Sequence, residues 1–152
     1  MAAEDHSSKS IETLIDRLDE VLEKADLKDN FRDTALIGLA FCDLLAASLD
    51  DHQKEAVEAA RNFWDGRNPD VHREFVYAFA GIIDSDMRTG TARRQAALNR
   101  IIWIALNTNT ALTGYACEFL IGLGSDAGLN IQQMTDIFSE HVPGFEASNK
   151  IR

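Results

Sequence analysis

Several groups of side chains in this 152-residue chain are of types that do chemistry. His52 and Glu55 stand one helical turn apart, and Glu58 extends the same face. Imidazole and carboxylate at that spacing can present a metal site, and bundles that bind two metals take such pairs from several helices. No second matching pair accompanies this one, so the residues read as a solvated charged face, and neither a metal nor a cofactor is expected. His72 and Glu74 define no apolar pocket and read the same way. Asp43 and Glu118 stand inside apolar runs. Brought together, one of them would hold its proton to higher pH and could act as an acid. Kept apart, each would accept hydrogen bonds from nearby Thr, Asn, Tyr or Arg. Cys42 and Cys117 lie within Ala40-Phe41-Cys42 and Tyr115-Ala116-Cys117, which suits buried thiols.

Other chemistries leave no trace. There is no Gly-x-Ser-x-Gly elbow, and neither cysteine has a histidine near it in sequence. Gly122-Leu123-Gly124 carries no lysine to hold a phosphate. Residues 119–138 have a helix-turn-helix rhythm with Gln132 and Gln133 on the second helix. Asp136 and Glu140 follow, and no Lys or Arg occurs between 101 and 149, so an ordinary helical hairpin is expected rather than a nucleic-acid reader. The one basic patch, Arg88, Arg93, Arg94 and Arg100, is expected to answer the protein's own acids.

Charge is uneven. The formal net charge is −10. Residues 1–60 hold 15 acids and 6 bases, a balance of −9, and residues 61–100 hold 5 acids and 7 bases, a balance of +2. An acidic surface of this kind repels phosphate backbones and anionic lipid and attracts basic proteins. The exposed acids predicted to meet such a partner are Asp16, Asp19, Glu20 and Glu23 on one helix and Asp51, Glu55 and Glu58 on another. The N-terminus lacks an apolar signal segment, and Asn107, Thr108, Asn109, Thr110 and Glu118 interrupt the longest apolar run, so no membrane span is expected and the chain reads as cytoplasmic.

The elements that must position these groups are helical. Ala and Leu dominate, prolines number two, and no strand-length alternation of β-branched residues occurs. The expected fold is all-α, a single-domain bundle of six or seven helices over residues 10–145 around a central apolar helix pair, with mobile tails at 1–9 and 146–152. Ser10 would cap a first helix reaching Ala25, with Ile11, Leu14, Ile15, Leu18, Val21 and Leu22 as its stripe. Asp29 or Asn30 would cap a second helix from Phe31 to about Ser48, apolar nearly all round apart from Gly38 and Asp43. Asp50 opens a third helix that stops at Gly66. Asn68 and Pro69 start a fourth that runs to about Asp84 and buries Val71, Phe75, Phe79, Ile82 and Ile83. The partner of the second helix is the stretch Leu98, Ile101, Ile102, Ala105, Leu106, Leu112, Ala116, Phe119, Leu120 and Leu123. Its stripe favours one helix, whereas Thr108, Thr110 and its length favour a break near 107–110. Gly122 and Gly124 would end it. Asn130 with Gln133 predicts a capping box on a last helix that Pro143-Gly144 terminates.

The segment Ala56-Val57-Glu58-Ala59-Ala60-Arg61-Asn62-Phe63-Trp64-Asp65-Gly66 resembles the Ala-rich helix ending in Trp and Gly of immunity proteins from bacterial polymorphic-toxin systems. That resemblance implies a small inhibitor that binds a toxin domain and does no chemistry. The functional expectation is therefore an acidic protein-binding module that blocks a basic partner. The alternative is a helical enzyme or small-ligand binder with its pocket near Asp43 and Glu118. A self-associating helical protein, for example a homodimer, is the third reading.

Overall fold

Gly38 decides how close the two central helices come. A Cβ there would lie 3.1 Å from the Ala105 backbone nitrogen and 3.3 Å from its Cα, so any other residue would push the two helices apart by a few tenths of an ångström. The two helices are α2 (Arg32–Leu44) and α5 (Arg93–Leu106), and they form the most extensive helix pair in the molecule. In the computed structural model, residues 2–25 and 30–145 are described, with side chains over 11–24 and 30–145. The remaining helices are α1 (Ala2–Ala25), α3 (Asp51–Trp64), α4 (Pro69–Thr89), α6 (Gly114–Ala127) and α7 (Ile131–His141), with a 3₁₀ turn at Ala46–Ser48. No strand occurs among the described residues, and the fold is an all-α bundle. Besides α2, α5 packs against α6, α4 and α3, which makes it the axis of the bundle. On the far side, α1 lies on α6 and α7, and α7 also reaches α2. Ile101, Ile102, Ala105 and Leu106 of α5 are fully buried with Ile37 and Phe41 of α2. Phe41 meets Phe138 of α7 edge to face at 6.0 Å between ring centroids.

Most helix ends are set by short-range chemistry. Asp50 accepts from the Gln53 amide at 2.7 Å while the Gln53 side chain accepts from the Asp50 amide at 2.9 Å, a reciprocal box. Asn130 and Gln133 repeat the same pair at α7. Asn30 caps α2: its Oδ1 accepts from the Asp33 amide at 3.0 Å, although Phe31 holds the formal first position. Asp29 lies outside the described residues, as does the tail at 146–152.

Several boundaries differ from expectation, each for a local reason. α1 starts at Ala2, so Ser10 lies inside the helix rather than at its start. α2 stops at Leu44, leaving that side chain 48% exposed. Asn68 takes a left-handed conformation (φ 51°) at the start of α4 and its side chain makes no capping bond. α4 continues past Asp84 to Thr89 and ends at Gly90 with φ 69°, so the segment read as a loop is helix. The break at 107–113 is real. There the Asn107 Oδ1 accepts from the Asn109 amide at 2.6 Å, and Thr113 then caps a new helix by accepting from the Ala116 amide at 3.1 Å. Leu112 stays buried across the break, its amide bonded to the Asn30 carbonyl at 2.9 Å. Because α6 begins afresh at Gly114, its phase resets: Ala116, Leu120 and Leu123 are inside, but Phe119 is 44% exposed. Gly122 and Gly124 do not end α6. It runs to Ala127, and Gly124 instead lets Phe41 and Met134 pack against its backbone.

Candidate functional site

The C-terminal end of α5 leaves its last carbonyls without helical partners, as every helix does. Two side chains from other helices satisfy them. Trp64 at the end of α3 donates its indole N–H to the Ala105 carbonyl at 3.1 Å. His72, in the first turn of α4, bonds through Nε2 to the Leu106 carbonyl at 2.7 Å, so Nε2 carries the proton and donates. The imidazole is buried and stacks on Phe63 with 3.8 Å between centroids. Around this junction lies a cavity of about 490 Å³. Phe63, His72, Tyr77 and Trp103 supply rings to its lining, and Asn107, Thr108 and Asn109 supply a polar edge. Its size falls in the range of small-molecule sites, roughly 300–1,000 Å³. A second cavity, beside Arg93, Arg100, Asp86 and Asp126, measures only about 230 Å³.

This cavity stands where the sequence reading placed nothing. His72 was expected to flank no pocket, but it is one of the walls. The signal lay in the helical phase of α4. His72, Phe75, Val76, Phe79, Ile82 and Ile83 follow one inward stripe, with Phe79 fully buried, while Val71 is 41% exposed. A polar residue at a stripe position is the kind that needs an internal partner.

The alternative reading set a pocket near Asp43 and Glu118. Both residues are exposed, and neither lines either of the cavities above. Asp43 pairs with Arg61 at 2.7 Å on the surface, so its charge is answered without any burial. Cys42 and Cys117 are free and buried, as expected. Burial pushes the Cys42 thiol up to about 12, with Asp43 adding to the rise and Arg61 opposing it. Burial likewise pushes Cys117 up to about 12, with Asp19 adding to it. Thiols held this firmly in the neutral form are poor nucleophiles.

His52 does not sit on a purely solvated face. Its ring stacks on Phe79 at 5.5 Å and 11°, and it also approaches Phe75. Among the described residues, no three His, Cys, Asp or Glu side chains are grouped to hold a metal ion. No helix of the described residues is long and apolar enough to cross a membrane. Of the arginines, Arg88 pairs with Asp84 at 3.0 Å and Arg93 approaches Asp126 at 4.0 Å. Arg94 donates to the Ser48 hydroxyl at 2.7 Å.

The acids predicted to bind a partner fall into two separate rows. Asp51, Glu55 and Glu58 are exposed on α3, which packs on α5, α4 and α2. Asp16, Glu20 and Glu23 are exposed on α1, which packs on α6 and α7. Asp19 differs from its neighbours. It is half-buried, and its carboxylate lies over Gly114, where any Cβ would collide with it. It therefore faces the first turn of α6, where the helix dipole favours an anion. From that same turn Tyr115 projects, 76% exposed, with Phe119 one turn further on. The start of α6 that Asp19 faces thus carries two exposed aromatic side chains. The Ala56–Gly66 segment is accounted for by packing: Ala56, Ala59 and Ala60 are buried, Phe63 lines the cavity and Trp64 serves the α5 carbonyl.

Comparison with protein-family models, with curated proteins and with solved structures finds no match to this chain.

Proposed function

We propose that this protein is an acidic protein-binding module that docks a basic partner protein on the face formed by α1 and α6, acting as an inhibitor of the immunity type rather than as a catalyst. The observation that carries this reading is that α1, with Asp16, Glu20 and Glu23 exposed, packs on α6, where Asp19 faces the turn from which the exposed Tyr115 projects, with the exposed Phe119 one turn on. Tyrosine and other aromatics concentrate in the energetic centres of interfaces, and surrounding charges steer the encounter and select the sign of the partner. The net charge of −10 extends that steering over the whole molecule. Asp19, turned toward α6, serves the fold and positions the row rather than meeting the partner.

The test uses the tagged full-length chain to capture proteins from cells of its source, with three variants beside it. A single stoichiometric partner with a basic sequence should be retained by the wild type and released by high salt. Reversal of Asp16, Glu20 and Glu23 to Lys should abolish retention, and Tyr115→Ala with Phe119→Ala should weaken it at least tenfold. Reversal of Asp51, Glu55 and Glu58 to Lys should leave it unchanged. Loss through the α3 variant with retention through the α1 variant would move the interface to α3 and overturn the assignment to α1–α6.

A further inference from the structure

The cavity at the end of α5 has no part in the docking face just described. Its lining includes four aromatic rings, Phe63 from α3, His72 and Tyr77 from α4 and Trp103 from α5; Phe63 and His72 stack on each other, which leaves Tyr77 and Trp103 to meet a ligand. Flat faces of this kind stack on flat ligands, and such stacking tolerates variation in the ligand because every aromatic ring has a π face. The apolar aliphatic side chains of the lining are Pro69, Val76 and Leu106.

The other side of the cavity is polar and under-used. Asn107 spends its Oδ1 on the Asn109 amide, which leaves its side-chain NH₂. Among the described residues, the Thr108 hydroxyl and the Asn109 carboxamide have no hydrogen-bond partner in the protein. His72 commits Nε2 to the Leu106 carbonyl, and its other ring nitrogen, Nδ1, has no partner among the described residues. Donors and acceptors on one edge, beside stacked rings, match a heterocycle with polar atoms on its rim; a carboxamide can pair with such a rim through two bonds at once.

Charge narrows the class. Arg73 is the sole cation of the lining, and it is exposed and paired with Asp70 at 3.1 Å. The lining holds no cluster of basic groups to bind a phosphate, and the chain as a whole is strongly negative. We infer that this cavity binds an uncharged, flat heteroaromatic molecule of nucleoside size, stacked on Trp103 and Tyr77 and hydrogen-bonded at its rim by Asn107, Thr108 and Asn109.

The experiment follows the two indole N–H resonances of the ¹⁵N-labelled full-length protein during separate titrations with adenosine, guanosine, cytidine, uridine, AMP and indole. At least one nucleoside should shift the Trp103 resonance saturably at sub-millimolar to millimolar concentration. AMP should bind no more tightly than adenosine. Indole, which has the face but lacks the polar rim, should bind at least tenfold more weakly than the best nucleoside. Tyr77 is 75% exposed, so Tyr77→Ala leaves the fold intact; it should weaken nucleoside binding roughly fivefold or more, the usual loss of one stacking face. Asn109→Ala should weaken it by a factor of about 2–10, one neutral hydrogen bond. Any of three results overturns the assignment: no saturable shift with any nucleoside, indole binding as tight as the best nucleoside, or nucleoside binding indifferent to both variants. Tighter binding of AMP than adenosine would overturn the uncharged class.

Discussion

The middle of α5 and its C-terminal end handle buried polar groups in opposite ways. In the middle, Asn99 is buried and accepts from the Gln53 side chain at 2.8 Å while donating to Asp86 at 2.9 Å. Gln53 in turn closes the capping box on Asp50. That chain of bonds ties the start of α3 and the end of α4 to α5 and gives each of its buried side-chain nitrogens and oxygens a partner. At the C-terminal end, His72 and Trp64 satisfy the two last carbonyls, but the loop beyond them carries polar side chains in excess of their partners, beside open space. A network that is fully satisfied fixes a fold, because breaking it exposes an unpaired group in a low dielectric. Asn107, Thr108 and Asn109 are not buried, so their spare donors and acceptors meet solvent and stay open to a ligand.

Variants of the two regions separate these roles. The largest effect is expected where both depend on the same contact. Gly38→Val drives two methyl groups into the Ala105 backbone, which has no rotamer to yield, and should cost about 3 kcal/mol in urea denaturation. It should also open the cavity end, so the indole resonances should shift without any ligand. Asn99→Ala comes next, at about 2 kcal/mol, because the buried Gln53 amide and the Asp86 carboxylate both lose their partner. An Asn99→Ala protein as stable as wild type would remove the contrast at its root. His72→Phe should cost about 1 kcal/mol: the ring can still stack on Phe63, and only the Leu106 carbonyl loses its donor. By contrast, Tyr77→Ala and Asn109→Ala should each stay within about 0.5 kcal/mol of wild type. If either proves as costly as Asn99→Ala, the loop's polar groups belong to the fold and are not surplus.

The middle of α5 was more legible in the sequence than its end. Apolar spacing identifies α2 and α5 as the central pair, and Gly38 as a point of close approach, because burial of a continuous stripe is local information. Asp50 and Asn130 announce their helices by residue type alone. The cavity was illegible for two reasons. His72 was assigned by its sequence neighbours rather than by the phase that Pro69 imposes on α4. Phe63 and Trp103 are remote in sequence, and only the bundle brings them to one cavity at the α5 terminus. The acids Asp43 and Glu118 misled in the opposite direction. An apolar run suggested burial, but a helix central at one end can be exposed at the other, and Asp43 stands beside the exposed Leu44 where α2 ends. The reset of phase at Gly114 exposed Glu118 together with Phe119.

The smallest effect at neutral pH concerns the two thiols, which border α5 from either side. Cys42 is on α2 and Cys117 on α6, and both are pushed up to about 12 from an ordinary 9.0. Below pH 9 the folded and unfolded chains both hold these protons, so ionisation of the thiols contributes no pH dependence to stability there. Between about 9 and 12 the unfolded chain releases them while the native one does not. The unfolded state then binds fewer protons, and native stability falls as pH rises through this window. Urea midpoints measured at pH 7, 9, 10 and 11 should therefore decline at the alkaline end, and the Cys42→Ala, Cys117→Ala pair should decline less steeply. At pH 7 a thiol-directed disulfide reagent should leave both cysteines unmodified in the native protein and titrate two on unfolding. Rapid modification of Cys117 alone would show that water reaches the α1–α6 seam. Asp19 would then stand in solvent rather than packed over the start of α6, and it would join Asp16, Glu20 and Glu23 as part of the docking face.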